Sequence, residues 1–155
     1  MKRFVTAFLL LTVCLCGNTY AEEREGFGVG VILGEPTGVS LKKWMGNTNA
    51  IDAGIAWSFS GDNSFHLHGD YLVHNFELVS VAEAPGQLPV YFGIGGRVKF
   101  DDKDDNTFGV RVPIGIAYMP AGAPIDFFGE IVPVLDLIPD SDFDMNAAIG
   151  ARFYF

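Results

Sequence analysis

The stretch LPVYFGIGGRVKF, from Leu88 to Phe100, changes character at almost every residue. Val90, Phe92, Ile94, Val98 and Phe100 fall on one side, and Tyr91, Gly93, Gly95, Arg97 and Lys99 on the other. Successive side chains of an extended chain point to opposite faces, so this period of two predicts a β-strand with one greasy face and one small or charged face. The same pattern recurs downstream. Val110, Val112, Ile114, Ile116 and Tyr118 oppose Arg111, Pro113, Gly115 and Ala117; Met145, Ala147, Ile149, Ala151, Phe153 and Phe155 oppose Asp144, Asn146, Ala148, Gly150, Arg152 and Tyr154.

Working outward, about eight such strands are expected: Phe27 to Gly34, Gly38 to Trp44, Ala50 to Phe59, Phe65 to about Val81, Leu88 to Phe100, Phe108 to Met119, Ile125 to Ile138 and Phe143 to Phe155. Turn-forming clusters separate them, among them Glu35-Pro36-Thr37-Gly38, Gly46-Asn47-Thr48-Asn49, Ser60-Gly61-Asp62-Asn63 and Pro139-Asp140-Ser141-Asp142. Each supplies Pro with a fixed φ, or Gly and Asn that tolerate a positive one. No linker or low-complexity segment divides the chain.

Alternation alone does not say which face is inside. A soluble barrel would turn the greasy face inward, a membrane barrel outward. Three features favour the membrane. The second face holds Gly and Ala beside charges of both signs, as a narrow lumen requires. Several strands are long enough for a tilted membrane crossing rather than an ordinary globular sheet. Aromatic residues gather near strand ends, and Trp44, Trp57, Tyr118, Phe153 and Phe155 are expected to anchor the barrel at the bilayer interfaces. The expected fold is all-β, an eight-stranded antiparallel up-and-down transmembrane β-barrel.

Met1-Lys2-Arg3 leads into an apolar run from Phe4 to Leu15, then into Gly17-Asn18-Thr19-Tyr20-Ala21. That order is the one of a signal peptide, with cleavage expected after Ala21, residues 1–21 removed and 22–155 forming the barrel. The run is too short for a membrane-spanning helix. Both cysteines, Cys14 and Cys16, fall inside it, and Val13 and Leu15 stand where a lipoprotein signal needs a small residue, so neither disulfide nor lipid anchor is expected. Without Lys2 and Arg3 the formal charge goes from −9 to −11. Phosphate backbones are held by Lys and Arg, so nucleic acid is excluded as a partner.

The segments Gly28 to Gly38, Gly93-Ile94-Gly95-Gly96-Arg97, Val110 to Tyr118 and Val132-Pro133-Val134-Leu135-Asp136 resemble a family of short outer-membrane barrel proteins of the OmpA-like and OmpX-like class. The closing Arg152-Phe153-Tyr154-Phe155 is similar to the terminal strand of such proteins, which the barrel-assembly machinery reads. The resemblance implies a bacterial outer-membrane location, with outer-membrane lipids and that machinery as partners and an extracellular protein ligand left open. Its motifs name no activity. No long loop of the kind adhesins display is present.

The polar faces carry Lys42, Arg97, Lys99, Arg111 and Arg152 against Asp52, Asp70, Asp126, Glu130, Asp136 and Asp144. A buried charge must be paired or wetted. An ion-pair network of Arg97, Lys99, Arg111, Glu130, Arg152, Asp70 and Asp126 is therefore expected to fill the lumen. Eight strands enclose a bore only wide enough for side chains, so a diffusion pore is not expected. His66, His68 and Asp70 share one strand face, with His74 beyond; steps of about 7 Å are too long for one strand to hold a single metal ion, so they are weak metal candidates. Ser64 beside His66, with Ser58 and Ser60 near, lacks the spacing that would mark a Ser-His-acid site. Asp101 to Asn106 lacks the glycine and closing glutamate of a calcium loop. No cofactor and no catalysis are expected. The function read is a plugged barrel with a structural or surface-interaction role; the alternatives are a lipid-modifying barrel enzyme and a secreted, soluble lipocalin-like binder.

Overall fold

The computed structural model describes residues 26–58, 64–80, 85–101 and 106–155. The expected signal segment, and the turns at 59–63, 81–84 and 102–105, lie outside the described residues. The described chain is all-β: β1 (Phe27–Glu35), β2 (Thr37–Trp44), β3 (Asn49–Ser58), β4 (Ser64–Asn75), β5 (Gly86–Gln87), β6 (Val90–Asp101), β7 (Thr107–Arg111), β8 (Ile114–Pro120), β9 (Ile125–Ile138) and β10 (Asp142–Tyr154).

Every pairing is antiparallel. β1 pairs with β2, β2 with β3, β3 with β4 and β4 with β6; β7 and β8 both lie between β6 and β9, and β9 pairs with β10. β10 in turn pairs with β1 over eight positions, from Gly28↔Tyr154 to Glu35↔Ala147. The pairings thus form an eight-strand ring in which β7 and β8 count as one strand.

Most strand limits fall within two residues of the sequence expectation, and two strands depart further, each for a local reason. β4 stops at Asn75 instead of continuing to Val81, because Asn75 Oδ1 accepts from the backbone N–H of Glu77 (2.8 Å) and Leu78 (3.0 Å) and curls the chain into a turn. The strand expected from Phe108 to Met119 is interrupted at Val112-Pro113. Val112 N–H donates to Pro133 O (3.0 Å) and Gly93 N–H to Pro113 O (2.9 Å), but neither proline has an N–H to return the bond. The short β5, absent from the sequence reading, adds Gly86 and Gln87 to the end of β8 opposite Pro120 and Met119.

Burial assigns the two faces. Ile94 is 61% exposed and Ile149 63%, whereas Arg97 and Arg152 on the opposite faces of the same strands are each 3% exposed. The greasy face is outside, and the small and charged face is inside. In water each exposed aliphatic or aromatic side chain would forgo roughly 1.5–3 kcal/mol of burial, and a contiguous apolar belt of this extent marks a surface that meets a membrane or a partner protein. The inner apolar cluster is small: Ile32, Leu72, Tyr91, Ala117 and Phe128.

Candidate functional site

The polar interior of the ring is assembled by a rule that the strand pairings make visible. Strands two apart in a sheet are separated by about 9–10 Å, too far for most side chains to meet across a bulky neighbour. Here the middle strand carries glycine at the crossing. Arg97 and Asp136 face each other over Gly109, Asp70 and Arg111 over Gly95, Tyr91 and Glu130 over Gly115, and Arg152 and Ser40 over Gly30. A Cβ at Gly109 would collide with Asp136, one at Gly95 with Asp70, and one at Gly115 with the Tyr91 ring.

Three arginines organise the contacts. Arg152 Nε donates to Ser40 Oγ at 2.7 Å, its Nη2 donates to Asp52 Oδ2 and its Nη1 to Asp126 Oδ2 at 3.4 Å, while the guanidinium lies 3.7 Å from the centre of the Phe128 ring. Tyr154 adds a 2.7 Å hydrogen bond to the same Asp126 oxygen. Beside this group Lys42, fully buried, places Nζ 2.8 Å from His74 Nε2, 3.8 Å from Asp126 and 4.5 Å from the Trp44 ring. Arg111 Nε stands 3.0 Å from Asp70 Oδ1 and its Nη2 3.7 Å from Glu130 Oε1, two ion pairs of one guanidinium. Glu130 also accepts from Tyr91 at 2.8 Å. Arg97 grips Asp136 with two bonds, of 3.1 and 2.7 Å, and reaches Asp144 at 3.1 Å. Asn146 completes that group with its amide oriented by the network, its nitrogen donating to Asp144 (3.1 Å) and its oxygen accepting from Arg97 (3.2 Å). Planar guanidinium groups suit such bidentate pairing, and the Arg97–Asp136 pair has that geometry.

The residues named from sequence fall as follows. Arg97, Arg111, Arg152, Asp70, Asp126 and Glu130 all face inward, but in three groups rather than one. Lys99 lies on the same face of β6, half-buried, opposite His66 and Thr107 in register. His66 Nε2 is 2.8 Å from Ser64 Oγ, His68 lays its ring over Gly54, and Asp70 holds Arg111. These candidate ligands thus engage different neighbours, and among the described residues no three His, Cys, Asp or Glu side chains group around one ion position.

Trp57 and Phe155 are exposed on the outer face; Phe153 packs edge-on against Phe155 at 5.2 Å, and Tyr118, half-buried, donates to Pro85 O at 3.3 Å. Trp57 continues into an aromatic row with Phe65 and Phe100 across three strands. Trp44 is a correction to the sequence reading. It is 6% exposed and faces inward against Lys42 and His74, so it cannot anchor the outer surface. It shares its parity on β2 with Ser40 and Lys42, and that was the available signal. Lys42, Asp52, Asp136 and Asp144, read onto the polar faces but left out of the expected network, also take part, as do Ser40, Tyr91, Tyr154 and Asn146; each of these last four has the same parity as a charged residue on its strand.

In overall fold the chain is similar to the crystal structure of the N-terminal β-barrel domain of Pseudomonas aeruginosa OprF, with a TM-score of 0.62 over 86% of this chain and 100% of that chain, at 9% sequence identity. At such identity the likeness is one of fold, a β-barrel. No protein-family model matches the chain, and no curated protein matches it in sequence.

Proposed function

We propose that this chain is a small outer-membrane β-barrel that spans the bilayer with eight strands, its lumen plugged by its own ion pairs, serving a structural or surface-interaction role in the cell envelope. The observation that carries the reading is the inversion of faces: an apolar outer belt around an interior of arginines, aspartates and hydrogen-bonded tyrosines. A soluble lipocalin-like binder has the opposite arrangement. The fold shared with the OprF barrel domain supports the envelope location. Export through the segment ending at Ala21, insertion by the barrel-assembly machinery and contact with outer-membrane lipids belong to the same proposal. With both termini periplasmic, the connections near Glu35 and Asp140 face the exterior; those expected near Asp62 and Asp102 lie outside the described residues.

The test is fractionation followed by electrophoresis. The protein is expected in the outer-membrane fraction, with a mobility in detergent gels that changes on boiling; recovery from the periplasm or medium as a soluble species would refute the proposal. A second reading, a lipid-modifying barrel enzyme, has one contact on its side, the 2.8 Å approach of Ser64 Oγ to His66 Nε2. Acyl transfer also needs an orienting acid and a site for the developing oxyanion. Envelope lipids are expected to be the same with the wild-type chain overexpressed as with Ser64→Ala; a difference would favour the enzyme.

A further inference from the structure

On the outer face of β9, Gly129 stands between Phe127 and Ile131, and in register between Ile149 of β10 and Ile116 of β8. One step along, Ile131 stands between Ala147 and Ile114. Gly129 and Ala147 lie in an open dent of about 510 Å³ edged by Leu33, Ile114, Ile116, Ile131 and Ile149, near mid-height of the strands. Its one charged lining residue, Glu130, belongs to the inner face and is held there by Arg111 and Tyr91.

The glycine is not imposed by packing. A Cβ at Gly95 or Gly115 would run into Asp70 or Tyr91, but a Cβ at Gly129 would meet only Ile149 Cγ2 at 3.8 Å, an ordinary contact. Room for a side chain exists and is left unused. The adjoining wall is also weakened. Val112 opposite Pro133, and Gly93 opposite Pro113, exchange one hydrogen bond each where a close antiparallel pair exchanges two. Consecutive residues of one strand therefore have a looser hold on both neighbours, beside the dent.

We infer that this dent seats a single acyl chain of a membrane lipid, an inference that rests on the bilayer-spanning reading. The apolar belt continues past the dent on both sides, through Val31 on β1 and through Phe92 and Ile94 on β6, so its occupant comes from the hydrocarbon layer. A gap without partner atoms forfeits the dispersion contacts of its lining, and a flexible methylene chain restores them. A stable contact with a second copy needs on the order of 1,200 Å² of buried surface and a matching protrusion. The dent is instead a shallow hollow lined by residues of β1, β8, β9 and β10.

The test uses the full chain in vesicles of phosphatidylethanolamine and phosphatidylglycerol containing a phospholipid with a diazirine on its acyl chain. After irradiation, adducts are expected to concentrate on Ile116, Ile131 and Ile149 over Ile55 and Leu67 of the opposite wall. Gly129→Leu and Ala147→Leu, each checked for folding by its heat-modifiable mobility, are expected to lower labelling to the level of that wall. Even labelling around the ring, or labelling unchanged in both variants, overturns the seat while leaving the spanning reading intact. Adducts between copies in place of lipid adducts overturn it in favour of self-association. Absence of lipid adducts on every wall overturns both readings.

Discussion

Arg152 is the residue on which most of the interior converges, since it bonds Ser40, Asp52 and Asp126 and covers the Phe128 ring. Removing one partner of a buried ion pair leaves the other charge stranded. Arg152→Met is therefore expected to destabilise the folded barrel by about 3–5 kcal/mol, read as a lower midpoint in urea unfolding from detergent or vesicles. Asp144→Asn should do far less, about 1 kcal/mol at most, because the Asp144 side chain is 48% exposed and Asp136 retains Arg97. The charged members of this interior were legible in the sequence, since parity alone puts Arg97, Arg111 and Arg152 on the face with the glycines. Their partners were not. A pair such as Asp70 and Arg111 is fixed by the register of three strands, and parity carries no register.

At the scale of the strands, the alternation located eight elements and most of their ends, and it failed where a backbone group changed the rule. Asn75 ends β4 through its side-chain oxygen, and Pro113 with Pro133 opens the seam between β7 and β8. Pro133→Ala restores an N–H opposite Val112 and is expected to stabilise the barrel by about 1 kcal/mol; a lowered unfolding midpoint would show that the proline is needed for the strand's path. Glycine has two meanings in these elements. Gly115→Val drives a side chain into the Tyr91 ring and within 2.7 Å of the Gly129 carbonyl, so a loss of about 1–3 kcal/mol is expected. A side chain at Gly129 would meet only Ile149 Cγ2, at an ordinary 3.8 Å, and should leave the unfolding midpoint close to that of the wild type.

For the whole molecule, the two tryptophans report which side of the wall meets lipid. With Trp44→Phe, the remaining Trp57 fluorescence should be quenched by vesicles of brominated-acyl lipid. With Trp57→Phe, the remaining Trp44, enclosed by Lys42 and His74, should be quenched little. Equal quenching would place both faces in the same environment and contradict the assignment. The same arrangement bears on transport. With Arg97, Arg111 and Arg152 each held by acids inside the ring, the wild-type chain in planar bilayers is expected to show no stable large conductance.

The sequence by itself determined the class of fold and the membership of each face, because a strand's side chains alternate whatever surrounds them. It also marked the charges that could not be left alone in an apolar setting. The sequence favoured the greasy face outside through its small and charged second face, its long strands and its aromatic strand ends, but the tertiary structure decided it, because both a soluble and a membrane barrel satisfy the same alternation. Only the register of β10 against β1, and of each strand against the next, decided which acid meets which arginine. The glycines at the crossings show the physical reason: contact between strands two apart depends on what the middle strand lacks, and that is set only when all three are aligned.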